Sequence, residues 1–148
     1  MIRPFKISDE ALAAEIWLKS GLDEYTYLPQ FQALDDTKAL RVFHKIIALE
    51  CDIWLETRES LVRGFIAYQG SLIDRLYIDP DYQRQGVGTA LITHAKEKYP
   101  AGLELCTHQQ NSRACQFYEK HGFKAVKYGI SPPPESVPDV EYQWRPQQ

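Results

Sequence analysis

The chain has 148 residues, 44% of them hydrophobic and 25% charged, with three cysteines and a formal net charge of −3. Residues 1–148 suffice for one domain with one core and no disulfide or metal staple, and the mildly acidic balance speaks against a nucleic-acid partner, whose phosphates require a basic face. Cys51, Cys106 and Cys115 form no Cys-x-x-Cys pair and read as reduced thiols of a cytoplasmic protein; no apolar run is long enough for a membrane span, and the first residues lack a signal-peptide core.

Met1 to Ile7 reads as a first strand, with Ile2, Phe5 and Ile7 apolar. Ser8 is the expected N-cap of a first helix, Asp9 and Glu10 put negative charge in its first turn, and Gly21 is its expected end. A proline-broken, aromatic segment follows from Asp23 to Phe31. Asp35 or Asp36 caps a second helix, with Leu40, Phe43, Ile46, Ile47 and Leu49 at helical spacing. The period then changes. Cys51–Thr57, Leu61–Tyr68 and Leu72–Ile78 are β-branched and aromatic runs separated by short turns, which predicts a meander. A helix follows Gly86, carries Val87, Leu91 and Ala95 on one face, and stops at Pro100. Leu103–Cys106 is a strand, Ser112–His121 a short helix closed by Gly122, and Phe123–Ile130 a strand. Pro132–Pro134 is a stiff loop and Val140–Trp144 a last strand. The order β-α-α-β-β-β-α-β-α-β-β predicts an α/β (α+β) fold, a mixed sheet with helices on its faces.

The densest chemical signal is Gln83-Arg84-Gln85-Gly86-Val87-Gly88, between a strand and a helix. Successive N–H groups at a glycine-rich helix start cradle phosphate, and the helix dipole favours negative charge there. A nucleotide P-loop requires Lys and Ser/Thr after its last glycine, where this chain has Thr89-Ala90; a dinucleotide fold requires a third glycine, where it has Leu91. His44, His94, His108 and His121 show no metal-ligand spacing, so no metal is expected.

Gln83-x-x-Gly86-x-Gly88, preceded by Leu76-Tyr77-Ile78 and the Asp79-Pro80 turn, resembles the acyl-CoA diphosphate motif of the GNAT superfamily of N-acetyltransferases. A second block, Asn111 to Ala114 through Phe117 to Phe123, resembles that family's later motif. The resemblance implies a mixed, mostly antiparallel sheet of about six to seven strands flanked by four helices. It implies acetyl-CoA as co-substrate and transfer to a primary amine of a small molecule or peptide. It also implies that the N–H groups of Arg84, Gln85, Gly86, Val87, Gly88 and Thr89 hold the diphosphate. Leu76 and Ile78 would offer main-chain groups to the pantetheine arm, Asn111 would contact that arm or cap its helix or do both, and Tyr118 would be the general acid at sulfur.

Asp74, two residues before Leu76 and so expected on its face, is one general base; Glu56 is the other. The resemblance also implies that the segment between the first two helices borders the acceptor site, where Tyr25, Tyr27 and Phe31 either surround a cation, with Asp23 and Glu24 attracting it, or pack locally. No cysteine sits with a His and an acid, so attack is expected to be direct. Two further readings stand beside this one: a non-catalytic acyl-CoA-binding or sensing module, and an acetyltransferase acting on a protein N-terminus or lysine. Neither nucleic acid nor membrane is expected as a partner, and both monomer and homodimer fit.

Overall fold

The computed structural model describes residues 1–133 and 135–146, so one residue of the predicted stiff loop, Pro134, lies outside the described residues. In chain order the elements are β1 (Ile2–Pro4), α1 (Glu10–Glu24), α2 (Pro29–Gln32), α3 (Asp36–Phe43), β2 (Asp52–Arg58), β3 (Leu61–Gln69), β4 (Leu72–Ile78), α4 (Val87–Lys98), β5 (Leu103–His108), α5 (Ser112–Lys120), β6 (Lys124–Ile130) and β7 (Pro138–Trp144). The expected α/β (α+β) order is present, and the single-turn α2 adds to the four expected helices.

Among the described residues, seven strands form one sheet in the order β1-β2-β3-β4-β5-β7-β6. Every pairing is antiparallel except β4 with β5, whose parallel register is confined to Leu72↔Glu104 and Ile73↔Leu105. Side chains alternate across the sheet into two apolar layers, as the two-residue strand period requires. Phe65 and Ala67 join Trp17, Phe43, Ile47 and Tyr77 under α1 and α3. Ile66 and Tyr68 join Leu91, Ile92, Leu105 and Tyr142 under α4 and α5. α4 lies close to the sheet because Gly64 has no side chain: a Cβ there would stand 2.8 Å from the Tyr77 carbonyl and 3.0 Å from Val87 Cγ1.

Three local expectations change. β1 ends at Pro4, and Ile7 opens a 3-10 turn (Ile7–Asp9) in which it is exposed. Asp9, not Ser8, organises the entry to α1: its carboxylate accepts the Lys6 N–H at 2.8 Å and the two Arg3 guanidinium nitrogens at 2.8 and 2.9 Å. Gly21 does not end the helix, which continues to Glu24; it is a packing position, since a Cβ there would lie 2.0 Å from the Phe31 ring. Asp35 does cap α3, accepting the Lys38 N–H at 2.8 Å. Beyond α3 the chain makes a π-helical turn (His44–Ala48), in which Ile47 is buried and Ile46 exposed; Leu40 in α3 and Leu49 after the turn are exposed too.

Candidate functional site

A cleft of about 580 Å³ opens where β4 leaves β5. Which main-chain groups of β4 face it follows from the ladder. The Asp79 N–H donates to the Arg63 carbonyl at 2.8 Å, so the odd-numbered residues 75, 77 and 79 turn their main-chain groups to β3. Leu76 and Ile78 therefore turn theirs into the cleft. The Ser20 hydroxyl takes up the Ile78 carbonyl at 2.7 Å. The side chains of Leu76 and Ile78 pack on the α4 layer, as expected of core residues.

The cleft runs on to the start of α4, lined there by Gln83, Arg84, Gly86, Val87, Gly88 and Thr89. Gly86 is the N-cap residue, left-handed at φ 83°, and no side chain caps the helix. Its first-turn N–H groups thus lack intrahelical acceptors, which is the condition for an anion site. Arg84 also has positive φ, at 64°. Such a conformation is uncommon in a residue with a side chain. Gly88 allows close approach from below: a Cβ there would be 2.9 Å from both Ile78 Cδ1 and Phe117 Cε1. Gln85 is exposed and does not line the cleft with its neighbours.

α5 forms the opposing wall. Asn111 caps it, accepting the Ala114 N–H at 3.3 Å, and its amide also donates to Glu24 Oε2 at 3.4 Å. Tyr118 is buried against Phe117, Phe123 and Tyr142 and lines the cleft. Burial pushes its phenol well above the ordinary tyrosine range, so it stays protonated. Glu24, at the end of α1, lines the same space; burial raises its carboxyl pKa against the opposing pull of Arg113 and Asn111. Sequence reading placed Glu24 in a loop because Gly21 looked like a helix end. The three further helical residues are what bring it to the cleft.

The remaining predicted residues fall differently. Tyr25 lines the cleft, its hydroxyl 2.8 Å from that of Tyr77. Tyr27 lies next to it, with its hydroxyl 2.8 Å from His108 Nδ1. Phe31 does not line the cleft and takes the local-packing alternative: its ring packs edge-on against Trp17 at 5.3 Å and over Gly21, part of the α1 layer. Asp74 lines the cleft but does not share the Leu76 face. A β-bulge in β4 makes Asp74 the extra residue opposite β3, and its carboxylate turns to Arg75 Nε (3.3 Å) and the Cys51 thiol (3.5 Å). Glu56 is buried and held by Arg63, whose Nε donates to it at 2.8 Å, away from the cleft. Cys106 reaches the cleft, but burial and Asp139 push its thiol up to about 12; burial pushes Cys51 to about 11.

A family model described as an acetyltransferase (GNAT) domain matches residues 49–125. The peptidyl-lysine N-acetyltransferase YjaB of Salmonella typhimurium is 40% identical over 78 residues, 52% of this chain and 53% of that protein. The chain thus spans about half the length of that relative. The solution structure of apo YjaB from Escherichia coli superposes with a TM-score of 0.82 at 24% identity, covering 97% of this chain and 96% of that one. The PaiA N-acetyltransferase of Thermoplasma acidophilum, solved in complex with coenzyme A, gives 0.70 at 23% identity over 98% of each chain. At these identities the two structures establish a shared fold. Among the described residues, no helix is long and apolar enough to cross a membrane.

Proposed function

The chain belongs to the GNAT acetyltransferase domain family, and from that membership we propose that it transfers the acetyl group of acetyl-CoA to a primary amine by direct attack. One observation carries the proposal: the inward-turned main chain of Leu76 and Ile78 leads straight to the uncapped amides of α4. The β4 edge suits the amides of a pantetheine arm, like a strand added to a sheet. The α4 amides suit a diphosphate. The Ile78 N–H is then positioned to polarise the thioester oxygen as it gains charge.

In the reaction the amine nitrogen bonds to the acetyl carbon and the carbon–sulfur bond breaks. Glu24 takes the proton that the amine gives up, directly or through water, and Tyr118 donates one to the departing thiolate. Glu24 suits the base role better than Asp74, which Arg75 and Cys51 engage, or Glu56, which Arg63 engages. The high pKa values of Cys51 and Cys106 keep them as thiols and weigh against a covalent acetyl-enzyme. Peptidyl lysine, named for YjaB, is the first acceptor to try and small primary amines the second.

The test has two parts. Calorimetry with acetyl-CoA reads donor binding, and thiol release on mixing acetyl-CoA with lysine peptides or small amines reads transfer. Acceptor-dependent release is expected. Binding with no release to any amine leaves a sensing module and overturns the transfer.

A further inference from the structure

The acceptor side of the cleft contains a charge that amine transfer alone does not require. Arg75 lines the cleft beside Tyr25, Tyr77 and Glu24. Its Nε is fully buried and makes no hydrogen bond among the described residues; Asp74 stands 3.3 Å away without hydrogen-bond alignment. The side chain keeps 29% of its surface and lines the cleft. The Tyr77 hydroxyl interacts with the guanidinium, and it is in turn 2.8 Å from the Tyr25 hydroxyl. Glu24 and Arg75 both act electrostatically on Tyr25 and on Tyr77. One carboxylate and one guanidinium thus line the same cleft as a single pair of phenols.

A desolvated guanidinium is costly to leave without a full set of acceptors. Its planar fork matches a carboxylate. A cavity selecting a plain amine would gain from Glu24 and lose from Arg75, because like charges in one small space repel. Asp74 offsets part of the Arg75 charge at 3.3 Å without satisfying its Nε, and the charge that this leaves, together with Glu24, is complementary to a zwitterion.

We propose that the acceptor carries a carboxylate a few atoms from its reactive amine, the amine directed to Glu24 and the carboxylate to Arg75. This rests on the transferase reading and narrows its substrate class. Arg75 is the specificity-determining residue. The carboxylate belongs either to a free amino acid or to an acidic residue beside a lysine in a peptide.

The experiment is calorimetry on the full chain, first with CoA and then on the CoA-saturated protein with product pairs. One pair is Nε-acetyllysine against N-acetylcadaverine, which differ by the carboxylate. The other is an acetyllysine peptide with a neighbouring Glu against the same peptide with Gln. In at least one pair the carboxylate-bearing member is expected to bind about tenfold tighter or more, the scale of a hydrogen bond to a charged group. The pair that shows the preference identifies the source of the carboxylate. Arg75→Gln is expected to erase the preference while CoA affinity stays within twofold of wild type, roughly the scatter for uncoupled sites. Equal binding in both pairs, no binding of any product, or a preference that survives Arg75→Gln overturns the inference. The wild-type comparison decides even if the variant fails to fold. Absence of CoA uptake in the first titration overturns the transferase reading and this inference with it; a missing preference with CoA bound overturns this inference alone.

Discussion

The two halves of the cleft are built from different materials. The donor half, from Leu76 to Thr89, offers main-chain groups: the inward edge of β4 and the uncapped first turn of α4. The half proposed for the acceptor offers side chains from distant segments, Glu24 and Tyr25 at the end of α1 and Arg75 and Tyr77 on β4, with the pair Tyr27 and His108, the last residue of β5, beside them. A main-chain site tolerates most substitutions that keep the backbone path, and a side-chain site depends on each group. The half proposed for the donor therefore depends on backbone path, and the half proposed for the acceptor on individual side chains.

If that contrast is right, the largest losses come from side chains at the junction of the halves. Tyr118→Phe should lower the rate of transfer by about 10²–10⁴-fold, the usual range for a lost acid or base, with acetyl-CoA affinity retained; single-turnover kinetics beside calorimetry measures both. Unchanged turnover removes Tyr118 from the chemistry.

Glu24→Gln should cost about 10²-fold in kcat/KM for the acceptor. It also has a pH signature. The base acts only when ionised, and burial raises its pKa above the ordinary carboxylate value. Wild-type kcat/KM should fall as pH drops through that raised value, and the variant should lack this acid limb. A limb that persists in the variant assigns the base elsewhere.

On the donor side the expected effect is smaller and falls on binding. Gly86→Ala forces a side chain into the left-handed region at a cost of about 1–2 kcal/mol; a loop that relaxes to escape that cost displaces the α4 amides and must be restored on binding, so acetyl-CoA affinity should drop by up to about five- to thirtyfold while the acceptor preference stays. A changed acceptor preference would mean that the halves are not separable.

The smallest effect concerns the acceptor wall. Tyr27→Phe removes the bond to His108 and should cost about 0.5–1.5 kcal/mol of stability by denaturant unfolding, without change in acetyl-CoA affinity. His94, His108 and His121 all have pKa values lowered by burial. The unfolded chain takes up their protons first as pH falls. The stability present above about 6.5 is therefore lost as pH drops through the lowered folded values. His108→Gln should shrink that loss by its own share only.

Much of the donor half was legible in the residues. Gly86 and Gly88 follow a strand and open a helix, and the need for amides without a blocking Cβ leaves few other reasons for two glycines there. The acceptor half was legible only in part. Resemblance pointed to the segment that holds Tyr25, which lines the cleft, but Phe31, the same kind of aromatic seven residues from Glu24, belongs to the α1 layer. Whether a ring faces a cleft or a core depends on which helix passes over it. The Asp74 placement failed for a reason no local pattern announces, a bulge that shifts the phase of β4 between Ile73 and Arg75.

The sequence by itself determined the order of strands and helices and the glycine loop that opens a helix at Gly86, because each depends on short-range periodicity, capping and backbone freedom; the expectation for Tyr118 came from family resemblance. Only the tertiary structure decided that β4 parts from β5 after Ile73, that α1 runs past Gly21 to deliver Glu24, and that Arg75 meets it across two tyrosines. Those outcomes depend on packing between segments far apart in the chain, where the fit of one side chain against another, rather than the preference of either, chooses the arrangement.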